Sequence, residues 1–343
     1  MGDIEVGGEL AQCYDVVVVG GGAAGLSGAL VLSRARRRVL VVDAGEPRNA
    51  PAGGVHNYLG REGSPPAALL ADGRAELAGY GGQVVAGSVR AARRLEGPLS
   101  DPAGAFAVEL AGGRTVRARR LLVTTGLVDE LPAVPGVAER WGREVLHCPY
   151  CHGYEVRDQT IGVLATSPMA PHIALLWRQW SADVTLFLHT AAGPTEQQRE
   201  QLAARGVTVV TGKVTGLQIQ DDRMSGVQLG DGRSVDCQAL VVTPFLAART
   251  GVLSDLGLQP AELRMGEHVL GSRIEADPTG ATAVPGVRVA GNVTDPMAQV
   301  VVSAAAGLAA AAAINTDLIA EDTELAVGAA RANATSGAHP DLP

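Results

Sequence analysis

Tyr14 to Asp43 reads YDVVVVGGGAAGLSGALVLSRARRRVLVVD, and the fold is decided in these thirty residues. Four consecutive valines, Val16 to Val19, predict a strand buried on both faces of a parallel sheet. Gly20-Gly21-Gly22-Ala23-Ala24-Gly25 follows at once and fits G-x-G-x-x-G. Leu26 to Arg34 then predicts a helix, and Val39 to Val42 a second short strand ending at Asp43. The spacing is that of a complete βαβ unit. Gly20 permits the tight turn, Gly22 lets the backbone approach a pyrophosphate, and Gly25 allows close helix-to-strand packing, while the helix N-terminus offers unpaired N–H groups and a positive dipole. Asp43, 23 residues beyond Gly20, is placed to accept from a ribose hydroxyl. A glycine-rich turn alone would be a weak signal. Strand, turn, helix, second strand and acid together predict a dinucleotide site, although the aspartate does not tell FAD from NAD.

The pattern continues outward as α/β. Ser64 to Gly79 predicts a helix, and short strands are expected at 84–89, 106–110 and 121–124, the last running to Gly126. Pro132, Pro135 and Gly136 then break the chain. A second βαβ-like segment begins at Ile161 to Leu164, passes a helix near Pro171 to Trp180 and returns as a strand at 184–188. Where it would need phosphate-binding glycines it has Gly162-Val163-Leu164-Ala165-Thr166-Ser167-Pro168, of which only the first could serve. The duplicate looks emptied. Further strands are expected at 207–211, 227–229, 239–242 and 287–290, and a long helix at 299–314. The last twenty or so residues show no periodic pattern and are expected to be a flexible tail.

Composition sets the outer bounds. The 343 residues exceed one ordinary core, so two domains or one with an insertion are expected. Hydrophobic residues at 46% and charged residues at 19% supply sizeable cores and exclude a disordered chain. With 28 Lys and Arg against 36 Asp and Glu, the net charge is −8 and there is no basic block, which argues against nucleic acid as a partner. The first 18 residues carry Asp3, Glu5, Glu9 and Asp15 and no basic residue, unlike a signal peptide. Pro296 to Thr316 is free of charge, but its alanines and Gln299, Ser303 and Asn315 favour a buried helix over a membrane span. Four cysteines in so long a chain do not make a secreted disulfide framework; they point to redox or metal chemistry in a reducing compartment, hence the cytoplasm.

The chemistry concentrates at His147-Cys148-Pro149-Tyr150-Cys151-His152, because a C-x-x-C pair can close a small disulfide ring and open it by two-electron exchange. Zinc would need four ligands, and no second C-x-x-C or spaced histidine pair completes a site, so no metal is expected. Cys148 to His152 also matches the C-x-x-C-H of c-type haem attachment, which calls for an exported chain and leaves the dinucleotide unit unexplained. In glutaredoxin-like folds the motif comes early, after the first strand of a much smaller domain. A dinucleotide fold and a redox pair in one chain suggest instead a flavin exchanging electron pairs with a dithiol.

Taken in order, these motifs resemble the low-molecular-weight thioredoxin reductases over about residues 14 to 318. The resemblance implies two Rossmann-like three-layer domains: an FAD domain in two segments, 10–128 and 251–320, around a degenerate NAD(P)-type domain, 129–250, that carries the cysteines, with a tail from 321 to 343. It implies that Gly20, Gly21, Gly22, Ala23, Ala24, Gly25 and Asp43 hold the AMP half of FAD. His56-Asn57-Tyr58-Leu59-Gly60 is similar to the loop whose asparagine faces the flavin, and Thr124-Thr125-Gly126 to the strand end before the crossover. Ala290-Gly291-Asn292-Val293, with Gln299 and Val300 opening the last helix, resembles the segment at the ribityl chain and the isoalloxazine edge. Departures matter as much. The second glycine fingerprint is missing, Leu188-His189-Thr190-Ala191 replaces the basic cluster that grips the 2′-phosphate of NADPH, and Asn292 replaces an acid.

After the second cysteine the family has an acid, and this chain has His152, a base near pH 7 when neutral. Cys148 to Glu155 is thereby similar to the thioredoxin-reductase-like dithiol oxidases of gliotoxin, holomycin and depsipeptide type. That resemblance implies a small-molecule dithiol as substrate, attack on Cys148, departure of Cys151 toward the flavin, His152 as base with His147 in reserve, and molecular oxygen as acceptor, giving peroxide. It also implies a homodimer. Two other functions remain in view: a reductase fed by ferredoxin or NAD(P)H that acts on thioredoxin, and a non-catalytic FAD-binding redox sensor. Cys13 and Cys237 read as small buried residues, Trp177 and Trp180 as core or interface, and Ala304 to Ala313 as a closely packed helix.

Overall fold

The computed structural model describes residues 10–336. Its largest sheet is built on the quoted stretch. Strand Cys13–Val19 lies between Val39–Asp43 and Thr115–Val123, parallel to both, and Gln83–Ala86 extends the sheet beyond Val39–Asp43. Alternate valines face opposite cores: Val17 and Val19 enter one buried cluster, Val16 and Val18 the other. This is why the run is uninterrupted rather than alternating.

Strand Thr115–Val123 ties the two ends of the chain together. At Thr115 to Ala118 it pairs antiparallel with Phe106–Leu110, and at Leu121 to Val123 it pairs parallel with Val287–Val289. One strand therefore fixes the late segment in the same sheet as the first. Ala23–Arg34, Pro66–Gly79 and the terminal helix Val300–Ser336 cover one face, and the first and last of these pack most closely. They touch backbone to backbone: a Cβ on Gly307 would lie 1.9 Å from the Ala24 carbonyl oxygen, and one on Gly28 2.9 Å from that of Gly307.

Between these segments lies a second parallel sheet of five strands, in the order Thr208–Val210, Val184–Phe187, Ile161–Leu164, Ala239–Val241, Val145–Leu146. The chain passes between the units by Leu127–Glu130 and Phe245–Ala248, which pair antiparallel with each other and join the hairpin Ala261–Met265/His268–Arg273 in a four-stranded sheet. That small sheet was not foreseen, since its strands are short and bear no long apolar run. The fold class, two Rossmann-like α/β units, is as the sequence implies.

The tail differs from expectation. Instead of ending at Ile314 with a structureless tail from residue 321, the terminal helix runs on to Ser336; residues 337–343, and the acidic positions Asp3, Glu5 and Glu9, lie outside the described residues. The reason is local and electrostatic. The last helical residues are alanine-rich, and Glu321 and Asp322 are drawn onto the sheet by cations. Arg119 donates to Glu321 at 2.6 and 2.9 Å, to Asp322 at 2.5 Å and to Asp15 at 3.0 Å, while Arg120 donates to the other Glu321 oxygen at 2.5 Å. By length and composition Val300–Asn333 could cross a membrane. Ala310, Ala311, Ile314 and Leu318, however, are fully buried against the sheet, so one face of its first half is packed into the core of this fold.

Side chains of Arg119, Arg120 and Glu321 are all at least nine-tenths buried. Removing that carboxylate would leave buried Arg120 without an acidic partner, while Arg119 keeps Asp15 and Asp322. Glu321→Ala is expected to cost about 3 kcal/mol in urea unfolding, as for other broken buried pairs; a cost below about 1 kcal/mol would show that the cluster does not hold the helix.

Candidate active site

A cavity of about 520 Å³ opens where the glycine turn, the loop after Asp43, the crossover at Thr125 and the start of the terminal helix converge. At its floor Gly20 has φ +105°, a left-handed conformation that suits glycine, and a Cβ there would lie 2.5 Å from the Thr124 carbonyl oxygen. Gly25 serves packing: its Cβ would sit 1.9 Å from the Gly20 oxygen. Gly22 differs, because a Cβ there would meet nothing within 4 Å and would project into open space. Bare backbone at a helix N-terminus, on a cavity wall, is the cradle that a pyrophosphate requires. Asp43 accepts from the backbone N–H groups of Gly21 and Gly45, both at 3.2 Å, and lies 3.5 Å from Arg74. The residues fit the dinucleotide, and the volume is in the range of cofactor pockets.

The opposite wall is the cysteine turn. Strand Val145–Leu146 delivers His147 and Cys148, and Pro149 opens the one-turn helix Pro149–His152. Proline suits the first helical position and keeps the residue before it extended; Cys148 has φ −99° and ψ 118°. The Cys148 and Cys151 sulfurs are 2.8 Å apart, with the Cys151 thiol donating. That donation, helped by the Cys151 and Tyr150 backbone N–H groups and the Arg48 charge, holds the Cys148 thiol down at about 7, against burial. The Cys151 thiol is pushed up for the converse reason. A buttress stands behind the turn. The Trp180 ring packs where a Gly153 side chain would be, 2.9 Å from its Cβ position, and meets the Tyr150 ring edge-on at 5.6 Å between centroids. Trp177, fully buried, supports Trp180.

Both ring nitrogens of His152 are buried without a hydrogen-bond partner among the described residues. Burial holds its pKa, and that of His147, below the ordinary imidazole value, so both are neutral at pH 7. They are not equivalent. His147 Nδ1 donates to the Val242 carbonyl at 3.3 Å, fixing its ring, whereas His152 faces the cavity with its nitrogens uncommitted.

The cavity wall brings together Gly20, Gly21, Gly22, Ala23, Ala24, Asp43, Thr125, Gly126, Gly291, Asn292, Gln299 and Val300 with Cys148, Cys151, His147 and His152. Gly25 lies behind it, as helix packing requires. Asn57 does not face the cavity as the resemblance implies. It is exposed, with φ +59°, and its amide donates to the Tyr150 carbonyl at 2.6 Å, fastening its loop to the cysteine turn. His56 takes the wall position instead. Asn292 lines the wall, but its amide holds the loop before the terminal helix by donating to the Asp295 and Ala298 carbonyls.

Sequence reading missed Arg48, which lines the cavity in a bidentate pair with Asp129 (2.7 and 2.8 Å), and the buttressing role of Gly153 and Trp180. No spacing signal marks either. In the second unit, Gly162 is not a turn residue. It lies within a strand and leaves room for Phe187, Cys237 and Leu240. His189 Nδ1 accepts from the Val214 N–H at 3.1 Å, a structural use. Cys237 is buried, as expected. Among the described residues no cluster of three His, Cys, Asp or Glu is placed to hold a metal.

Comparison with known proteins agrees with this geometry. The family described as pyridine nucleotide-disulphide oxidoreductase matches residues 14–307. Thioredoxin reductase sirT of Leptosphaeria maculans is 29% identical over 330 residues, covering 91% of this chain and 98% of that protein. Thioredoxin reductase tcpT of Claviceps purpurea is 31% identical, covering 73% and 79%. Among solved structures, HlmI superposes with a TM-score of 0.86 at 48% identity, covering 96% of this chain and 99% of its own.

Two glycines separate cofactor binding from folding. Gly22→Ala is expected to yield folded protein with about tenfold weaker FAD binding, roughly 1.4 kcal/mol, whereas Gly25→Ala should lower both flavin content and the yield of folded protein. Equal flavin content in Gly22→Ala and wild type, read by absorbance per chain, would remove the pyrophosphate from that wall.

Proposed function

The chain belongs to the pyridine nucleotide-disulphide oxidoreductases and is a thioredoxin-reductase-like FAD protein among them, and we propose that it oxidises a small-molecule dithiol to a disulfide through Cys148 and Cys151, with molecular oxygen as acceptor and hydrogen peroxide as product. One observation carries the reading: the cysteine pair, an uncommitted neutral His152 and the pyrophosphate cradle line a single cavity. A thiol entering there meets a base and the cysteine pair together.

In the oxidised pair, His152 takes the proton of the first substrate thiol, and the thiolate attacks Cys148 Sγ. A substrate–Cys148 bond forms, the Cys148–Cys151 bond breaks, and Cys151 leaves with the electron pair. The second substrate thiolate then attacks the substrate sulfur of that mixed disulfide, closing the substrate disulfide and expelling Cys148. Cys148 suits this last role because the Cys151 and Tyr150 backbone N–H groups and the Arg48 charge stabilise its thiolate, and a stabilised thiolate leaves faster. FAD held in the cavity would supply the two-electron sink needed to return the dithiol to the disulfide, with oxygen as the final acceptor.

The reductase direction has one support, the names borne by sirT and tcpT. Fed by NAD(P)H rather than ferredoxin, it would need a nicotinamide nucleotide in the second unit, where Gly162 is enclosed in a strand and His189 is structurally engaged. We further propose a cytoplasmic homodimer, which the exposed apolar residues Val302, Leu308, Ile319, Leu325 and Val327 of the terminal helix favour; light scattering tests it.

Anaerobic stopped-flow absorbance distinguishes the directions. Dithiothreitol is expected to bleach the flavin rapidly and NADPH not to, with colour and peroxide returning in air; fast bleaching by NADPH would make the protein a reductase. Cys148→Ser and Cys151→Ser should each abolish oxidation while keeping FAD, and activity in either would end the mechanism. The pH dependence follows from His152. Because its pKa is depressed, it remains an unprotonated base on the acid side, where substrate thiols, with pKa near 8.5, are least ionised. His152→Ala should therefore slow flavin reduction by about 100-fold near pH 6 and much less near pH 9; a uniform loss would point to a structural role.

A further inference from the structure

Every turnover of the proposed oxidation strips two protons from substrate thiols, and the base that takes them is a single histidine. Burial disfavours the protonated form of His152, and a histidine that holds the first proton cannot take the second, so the first must be passed on. His147 is fixed to the Val242 carbonyl and, among the described residues, no exposed carboxylate pairs with it, while Arg48 is held by Asp129 and is always charged, so neither leads a proton out to solvent.

His56 remains. It is one-fifth exposed and shares the cavity wall with His152. Its Nδ1 lies 2.6 Å from Glu62 and its Nε2 3.5 Å from Glu155. Both carboxylates face solvent, 67% and 45% exposed. They come from opposite sides: Glu62 from His56's own loop, Glu155 from the segment that follows His152. The second Glu62 oxygen accepts the Asn57 N–H at 2.9 Å, and the Asn57 amide binds the Tyr150 carbonyl between the two cysteines. The histidine is thus held in register with the redox turn, with the cavity on one side and solvent-facing carboxylates on the other. As an ordinary surface ion pair this arrangement would contribute little to stability, and such a pair would have no reason to sit on the cavity wall.

We propose that His56, with Glu62 and Glu155, is the proton outlet of the dithiol site. The proposal rests on the dithiol-oxidase reading. The substrate thiol gives its proton to His152, His152 returns to neutral by giving it to His56, and His56 releases it past the carboxylates to solvent. No electrons move in these steps, and each group ends as it began. His56 acts through His152 rather than on substrate.

The test compares wild type, His56→Gln, His56→Ala and the Glu62→Gln/Glu155→Gln double variant as FAD-loaded protein, mixed anaerobically with dithiothreitol. Flavin bleaching is followed in H₂O and D₂O, and opening of the Cys148–Cys151 disulfide is counted by rapid quench, alkylation and mass measurement. Expected are about tenfold slower bleaching and disulfide opening in the His56 variants, a larger solvent isotope effect than in wild type, and recovery of His56→Ala by added imidazole. The double carboxylate variant should follow His56→Gln. Wild-type rates and isotope effects in the His56 variants would overturn the outlet and leave the oxidase reading standing. So would a slowing that imidazole does not restore and that leaves the isotope effect unchanged. If dithiothreitol fails to bleach the wild type, the oxidase reading falls, and the outlet with it.

Discussion

The contact on which everything else depends is the meeting of three backbones without side chains between them. Gly25 lets the first helix close on the turn at Gly20, and Gly307 lets the terminal helix close on Ala24 of that same helix. At 1.9 Å from a carbonyl oxygen neither position can carry a Cβ, so the helices pack closer than any larger residue would allow. The N-terminus of the first helix is thereby aimed into the cavity, and Gln299 and Val300 are brought to its rim. The buried ion cluster at Glu321 secures the middle of the terminal helix to the strand that ends just before Thr124. Position at the cavity and stability at a distance are set by one helix and one strand.

Against that rigid side the cysteine turn is a small structure held by several unlike bonds. It hangs from a two-residue strand and is one helical turn long, so it has little stability of its own. Trp180 behind Gly153, Asn57 on the Tyr150 carbonyl and the Val242 carbonyl on His147 hold it from three directions. The sulfurs are left with their chemistry set by hydrogen bonding: Cys148 as the stabilised thiolate, Cys151 as its donor.

Much of this was legible in the sequence, for identifiable reasons. The valine run, the glycine turn and Asp43 obey short-range rules, and each lies where those rules put it. The C-x-x-C-H motif likewise carries its chemistry within five residues. What was not legible depends on partners far along the chain. Glu321 reads as tail until Arg119 and Arg120 are seen beneath it, some 200 positions away. Asn57 was assigned to the flavin by resemblance, and only the fold shows its amide spent on Tyr150. Arg48 and Asp129 stand 81 positions apart and no periodicity links them.

The second unit keeps a parallel sheet although its sequence lacks a second glycine fingerprint. Gly162 persists in a strand, where its lack of a side chain accommodates Phe187, Cys237 and Leu240, so its retention answers to packing rather than to phosphate. The neighbouring strands Ala239–Val241 and Val145–Leu146 run parallel to it and end at the cavity side, where the latter presents His147 and Cys148. A parallel sheet with a packed core on both faces is a stiff platform. The redox pair needs such a platform because thiol exchange demands in-line approach of sulfur to sulfur within a few tenths of an ångström, and the turn alone could not provide it. Holding two sulfurs in place is thus reason enough to preserve the sheet, whether or not any nucleotide binds it.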